Sequence, residues 1–304
     1  MPNLASTTQT AHSFQKPSVI INLGSGSADD ITDEICDLFD ASGLPKPQVH
    51  AVDPSKLSGV LEQVGTDQTD LLIVFGGDGT CMAGAKVARK SEIPFIALPG
   101  GTMNLLPKAL YGTNDWREAL DIALSTDEPR WQSAGKIDEH IFFCGAIMGD
   151  PTIMSEARES VRDGDEIEAV KRVPDIMSAV AGGLEFSIDV DGDEFDRASG
   201  LLRVSCPAMQ DSPDAPTKFE VASLPQLSLG RLIAIGAKAL TSEWTDSPDV
   251  KTAHARQVSV DGQQTCDVLL DGESHRLSCP IKISLEPEAV LVLAPSPKKI
   301  KEKS

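Results

Sequence analysis

Apolar positions follow two textures along the chain. In the first, short continuous apolar runs alternate with segments whose apolar residues recur every three or four positions. Residues 18–22, "SVIIN", read as a buried strand, "LGSGSADD" as a turn, and Ala28 to Asp40 as a helix with Ile31, Ile35, Leu38 and Phe39 on one side. "KPQVHAV" predicts a second strand, Leu57 to Val64 a helix and Leu71 to Phe75 a third strand. A helix from about Thr80 to Arg89, a strand at "IPFIAL" and a helix at "WREALDIALST" complete this half. Strands alternating with helices predict βαβ units and a parallel sheet.

After about Arg130 the pattern changes. "HIFFCGAIMG", "EFSIDVDGDEFDRASGLLRVSC", "KFEVASL" and "RQVSVDGQQTCDVLLDGESHRLSCPIKISLEPEAVLVLAP" alternate apolar with polar residues and are punctuated by Asp-Gly turns, the texture of antiparallel hairpins. Asp191-Gly192 and Asp261-Gly262 are expected to be such turns. Helical stretches at Ile153 to Val180, broken near Pro174, and at Leu232 to Leu240 interrupt the strands. The expected organisation is an α/β domain over residues 17–130 and a β-rich domain over 131–293, with residues 1–16 disordered. A ligand cleft is expected between the domains.

Composition narrows the function. The chain has 304 residues and a formal net charge of −19, which disfavours nucleic acid as a partner and broad adhesion to anionic lipid. The tail "SPKKIKEKS", with four lysines, is the local exception and reads as a solvated terminus, with a weak contact to an anionic bilayer as the rival reading. No apolar run reaches the ~20 residues of a membrane span, and "MPNLASTTQTAHSFQKP" lacks the apolar middle of a signal peptide. Cys36, Cys81, Cys144, Cys206, Cys266 and Cys279 are scattered, with no Cys-x-x-Cys pair; they read as small core residues in a reducing compartment rather than zinc ligands. His140, His254 and His275 lack metal-ligand spacing.

Candidate chemistry concentrates in glycine turns. "LLIVFGGDGT" runs a buried strand into Gly76, Gly77, Asp78, Gly79 and Thr80. Glycines let backbone N–H groups approach an anion, and the following helix N-terminus, with Thr80 suited to cap it, favours phosphate. No lysine follows, so this is not a Gly-x-x-x-x-Gly-Lys-Ser/Thr loop. Asp78 would then repel phosphate by about 4 kcal/mol at ~4 Å and an effective dielectric of ~20. It fits if it holds Mg²⁺ through water or faces the acceptor hydroxyl. The next strand ends in "ALPGGTMNLLPKALYG", placing Gly101, Thr102 and Asn104 at the same sheet edge, with Lys108 as a source of positive charge. Gly24 and Gly26 in "VIINLGSGSADD" form only a weak dinucleotide fingerprint, because Asp29 stands where a third glycine belongs.

Gly76–Thr80 followed by Pro99-x-Gly101-Thr102-x-Asn104 resembles the catalytic domain of diacylglycerol kinases and related sphingosine and ceramide kinases. "INLGSGS" resembles the family's Asn-Pro-x-x-Gly turn, with Asn22 and Gly26 matching and Leu23 replacing proline. "IFFCGAIMG" resembles its Phe-Asn-x-x-x-x-Gly strand, with Phe143 and Gly149 matching and Cys144 replacing asparagine. "LLDGES" resembles its late Asp-Gly-Glu. The resemblance implies an N-terminal α/β nucleotide domain like that of NAD kinases and a C-terminal antiparallel β-sandwich for the lipid. It also implies a tail, 294–304, that returns to the first domain, and the use of ATP with Mg²⁺. It implies that Gly76, Gly77, Gly79 and Thr80 cradle ATP phosphates, that Asp78 lies near metal and acceptor, that Asp271 is the general base, and that Glu273 is associated with the metal. Asn22, Gly26, Gly101, Thr102, Asn104 and Lys108 complete the expected nucleotide site.

The chain departs from that pattern where Met82 and Ala83 replace Asn-Glu after the glycine turn, where Leu105 replaces the Asp after Asn104, and where Lys108 replaces a nearby Arg. The expected function is phosphorylation of a hydroxyl on diacylglycerol, ceramide or a related long-chain lipid by a cytoplasmic enzyme acting peripherally at the inner membrane face, with a homodimer as an option. The rivals are an NAD kinase and a non-catalytic nucleotide- or lipid-binding protein on the same fold. On an extended strand Asp271 and Glu273 would face one side and reach one site; a tight hairpin turn would remove that argument.

Overall fold

A computed structural model describes residues 14–25, 31–149, 186–198, 201–209, 217–224, 250–262 and 264–296. The helices expected at 153–180 and 232–240, the leader up to residue 13, Gly26 and the lysines of the tail lie outside these residues. The chain divides into two compact units, one within Met1–Gln132 and Val290–Ser304, the other within Ser133–Ala289.

The first unit holds β1 (Pro17–Asn22), α1 (Ile31–Ala41), β2 (Gln48–Val52), α2 (Leu57–Thr66), β3 (Leu71–Gly76), α3 (Asp78–Ser91), β4 (Phe95–Pro99), α4 (Leu105–Tyr111) and α5 (Trp116–Leu124). At its border begins β5 (Arg130–Ile137). The second unit holds β6 (His140–Phe142), β7 (Gly145–Gly149), β8 (Phe186–Val190), β9 (Asp193–Ala198), β10 (Leu201–Ser205), β11 (Phe219–Leu224), β12 (Lys251–Ala255), β13 (Gln257–Asp261), β14 (Thr265–Leu270), β15 (Glu273–Ser278) and most of β16 (Ile281–Val292).

The first sheet runs β2-β1-β3-β4, all parallel, with Val19, Ile73 and Ile96 side by side in one row. β3 and β4 are buried at every position, as continuous apolar strands covered on both faces must be. Ile31, Ile35 and Phe39 of α1, Leu61 and Val64 of α2, Ala85 and Ala88 of α3, and Leu120 of α5 supply that cover. The end of β16 joins this unit: Val292 pairs parallel with Phe95, Leu293 N–H donates to the Phe95 carbonyl at 3.0 Å, and Arg130 Nε donates to the Pro295 carbonyl at 2.8 Å. The Tyr111 hydroxyl donates to the Leu293 carbonyl at 3.3 Å. These contacts anchor the returning chain at the buried edge of the sheet.

In the second unit β12-β11-β10-β7-β14-β15 form one antiparallel sheet, and β16, β13, β8 and β9 pair antiparallel in another. Met148, Leu202, Val221 and Val268 from the former and Ile188, Val258, Val260 and Ile283 from the latter share one core, so the two sheets are layers of a sandwich. Cys81, Cys144, Cys206 and Cys266 are buried, as expected of small core residues, whereas Cys36 and Cys279 are only partly buried.

Three local expectations change. Helix α4 stands where the pattern suggested only a glycine turn; Pro107 falls in its first turn, where a missing N–H is tolerated, and Leu106, Leu110 and Tyr111 are buried. Asp191-Gly192 is a hairpin turn with φ of 50° and 96°, but Asp261-Gly262 is not. Asp261 ends β13, whose partners are β16 and β8, whereas β14 pairs with β15 and β7, so the chain crosses between sheets there. Thr80 does not cap α3: Gly77 is the N-cap, with no side-chain bond, and Thr80 lies inside the first turn.

Candidate active site

Because β1, β3 and β4 are parallel, the turns that follow them emerge on one edge of the sheet, where α/β folds bind ligands. Two of these turns touch through backbone. A Cβ placed on Gly101 would lie 2.7 Å from the Gly77 Cα, and Gly100 N–H donates to the Gly76 carbonyl at 2.9 Å. Glycine at 101 is thus dictated by close approach of the two chains. Gly79 is different. It is exposed, and a Cβ there would meet nothing within 4 Å, so nothing in the fold demands glycine at that position.

Two asparagines lock the turns. Asn22 accepts from Gly24 N–H at 3.0 Å and donates to Thr80 Oγ1 at 2.8 Å, tying the end of β1 to the first turn of α3. Asn104, buried and left-handed at φ 50°, accepts from Gly101 N–H and donates to the Gly101 carbonyl, both at 2.8 Å. Both amides therefore shape the turns that would hold a nucleotide. Thr102 and Lys108 are exposed beside them.

Asp78 opens α3 and points across the gap to α4. Its Oδ1 accepts from Leu106 N–H at 3.4 Å. Burial pushes its carboxyl above the usual value, opposed by N–H groups of Leu106, Leu105 and Asn104 at the start of α4. Backbone donors of a neighbouring helix start thus offset only part of the cost of burying the carboxylate that would repel a phosphate. Cys81 sits behind the turn, its thiol raised well above the ordinary range by burial and by Asp78, which leaves it inert.

In the second unit Asp271 and Gly272 form the two-residue turn between β14 and β15, with φ of 48° and 85° and Leu270 opposite Glu273. This is the type I′ hairpin that Asp-Gly favours, so the two acidic residues do not line one face of an extended strand. The Asp271 carboxylate accepts from three successive backbone N–H groups: Phe143 at 2.7 Å to Oδ2, and Cys144 at 2.8 Å and Gly145 at 3.0 Å to Oδ1. Asp271 N–H donates to the Gly145 carbonyl at 3.0 Å. Asp271 is thus fastened by both side chain and backbone to the segment between β6 and β7. Sequence reasoning matched Phe143 and Gly149 to a motif without foreseeing this cradle. Gly145 itself is demanded by the close approach of β10, where a Cβ would stand 2.9 Å from the Val204 carbonyl oxygen.

Glu273 is exposed, with His275 Nε2 at 4.0 Å from its carboxylate, and the rings of His275 and His140 lie 4.6 Å apart. Sequence spacing gave no sign of that pairing. Among the described residues no three His, Cys, Asp or Glu side chains converge as a metal site. In the first unit Asp78 brings a carboxylate to the glycine turns. That suits Mg²⁺ held chiefly by substrate phosphates, which needs only one or two protein carboxylates.

The described residues thus combine a parallel α/β sheet, with paired glycine turns at one edge, and an antiparallel β-sandwich. Residues 16–133 match the family model of the diacylglycerol kinase catalytic domain, the likeness that the motifs imply. The family implies a kinase. A crystal structure of a diacylglycerol kinase from Bacillus anthracis str. Sterne aligns at 17% identity with a TM-score of 0.67, covering 93% of this chain and 98% of its own. Two further structures from that organism align at 18% and 19% identity, each with a TM-score of 0.68 and the same coverage. At such identities these show the fold. Comparison with curated proteins gave no match. No helix among the described residues is long and apolar enough to cross a membrane.

Proposed function

We propose that the chain is an ATP- and Mg²⁺-dependent lipid kinase that phosphorylates a hydroxyl of diacylglycerol, ceramide or a related long-chain lipid. The observation that carries this reading is the pair of glycine turns in backbone contact beside a half-buried Asp78 that faces the start of α4. The family domain over residues 16–133 supports the kinase chemistry. N–H groups of Gly77 to Thr80 would orient the phosphates, and Lys108 would add positive charge. Mg²⁺, when bound, would neutralise charge on the phosphates, with Asp78 and Glu273 as its protein carboxylates. The acceptor oxygen forms a bond to the γ-phosphorus as the bond to the ADP oxygen breaks, and the hydroxyl proton passes to Asp271. Three successive backbone N–H groups hold that carboxylate in place. Positioning and charge stabilisation dominate phosphoryl transfer, so a carboxylate base of modest strength suffices.

The test is transfer of label from γ-labelled ATP to a panel of dispersed lipids, with NAD offered in parallel. An organic-phase product is expected. Label found only in NADP would replace this reading with the NAD kinase one, and nucleotide binding without turnover on any acceptor would favour a non-catalytic protein.

A further inference from the structure

Among the described residues four large hydrophobic side chains are exposed: Leu23 at 51%, Met103 at 44%, Leu105 at 41% and Trp131 at 46%. Single exposed hydrophobics are ordinary on protein surfaces. The arrangement of the first three is not scattered. Leu23 follows β1, and Met103 and Leu105 follow β4, two strands that run parallel and end on the edge that carries the glycine turns. Contacts link them: Asn22, next to Leu23, bonds Thr80; Gly77, three residues before Thr80, abuts Gly101; and Gly101 is clasped by Asn104, which lies between Met103 and Leu105. At two of these positions the chain has leucine where the family pattern has Pro or Asp, so apolar surface has been placed around a site built for anions.

We propose that Leu23, Met103 and Leu105 form an apolar rim that docks this edge of the protein on the hydrocarbon of an uncharged lipid surface; this rests on the lipid-kinase reading. Charge decides the class of surface. With a net charge of −19 the chain is repelled by anionic bilayers, so attraction must come from apolar burial and the favoured surface is zwitterionic or neutral. Aliphatic side chains that are half exposed have area left to bury, and the thioether of Met103 adapts to irregular hydrocarbon. The rim would bring the acceptor hydroxyl to the phosphate turns without requiring the lipid to leave its bilayer.

The full chain is tested by co-sedimentation with phosphatidylcholine vesicles carrying a minor fraction of diacylglycerol. Leu23→Ser and Met103→Ser are each expected to lower partition by about three- to tenfold, and Leu23→Trp to raise it. Binding should persist at ~0.5 M salt and weaken when phosphatidylglycerol replaces phosphatidylcholine. Turnover on a short-chain, water-dispersed acceptor should be unchanged in these variants, and their melting temperatures should match wild type. Variants that partition like wild type would overturn the rim, as would binding that is lost in salt. A drop in oligomeric mass by light scattering in the serine variants would overturn it in favour of contact between copies. Loss of partition in the variants, combined with no lipid phosphorylation by wild type, would leave the rim standing and remove the kinase reading.

Discussion

Replacing Gly101 with alanine separates close packing from ligand contact. The new methyl would stand 2.7 Å from the Gly77 Cα and 3.3 Å from Asn104 Oδ1. Carbon atoms in contact prefer roughly 3.5–4.0 Å, so the two turns must part by about 1 Å. Gly77 offers only backbone there and cannot rotate aside. Overpacking of this kind costs ~1–3 kcal/mol, and each kcal/mol lowers Tm by about 2–4 °C at this size. The kinetic effect should be larger, because a ~1 Å displacement of positioning groups can cost about 10²-fold in rate. Gly79→Ala is the control. It meets nothing within 4 Å and lies in the first turn of α3, where alanine improves on glycine by up to ~1 kcal/mol. It should therefore melt at or above wild type while binding nucleotide more weakly, because only a bound phosphate would compete for that space. The assays are thermal melting, nucleotide titration and turnover for both variants. Wild-type turnover in Gly101→Ala would refute the claim that contact between the turns sets the site, and unaltered nucleotide affinity in Gly79→Ala would remove the phosphates from α3.

Asp78→Asn should lose most activity yet gain stability at neutral pH. The folded protein raises this carboxyl above 3.8 by burial, so ionising it opposes folding. That penalty is absent below the unfolded value, grows as pH rises through the interval up to the folded value, and is constant above it. Melting curves of variant and wild type should thus converge near pH 4 and separate by pH 7; an equal gap at both would show that Asp78 is not the cause. Glu273→Gln, at an exposed position, should leave Tm unchanged and recover part of its lost turnover as Mg²⁺ is raised; no response to Mg²⁺ would exclude it from the metal. Asp271→Asn should lower kcat by ~10²–10⁴ if general-base catalysis contributes its usual share, and should also lower Tm. A variant that melts like wild type would show that the three N–H bonds contribute little.

The elements of the first unit were legible because their signals are local. Buried strands such as "LLIVFG" are continuous apolar runs, and α1 and α5 carry one apolar face. Helix α4 was hidden because Asn104 and Pro107 are turn vocabulary, and its apolar residues, Leu106, Leu110 and Tyr111, acquire meaning only against β4 and the returning Leu293. Glycine turns led to the expectation of a phosphate-type edge, but did not say which glycines the fold itself demands. That distinction depends on contacts such as Gly77 with Gly101, separated by a strand and a helix. The hydrogen bonds of Asn22 and Asn104 were equally invisible, because either amide could have faced a nucleotide. The exposure of Leu23 and Met103 is a tertiary fact with no periodic signature.

Asp271 shows why residue type alone leaves function undecided. In the sequence, Asp-Gly between alternating strands is sufficiently explained by a type I′ turn, which needs a residue tolerant of positive φ at its first position. The structure adds a second demand, an acceptor for three N–H groups from Phe143 to Gly145. Asparagine would satisfy the first demand but not the second. Both oxygens of Asp271 face donors, so either orientation of an amide turns its NH₂ toward a backbone N–H. The substitution that preserves shape thus breaks at least one bond and leaves a donor unpaired, a cost of ~1–3 kcal/mol that falls on the position of the whole turn. A fall in kcat alone therefore does not identify Asp271 as the base. What identifies it is a loss in kcat much larger than the loss in folding stability accounts for, with nucleotide affinity intact. The cradle makes the carboxylate a fastening, and on the proposed kinase reading the same rigidity would serve proton acceptance, because a base that cannot turn away needs no reorganisation when the hydroxyl arrives.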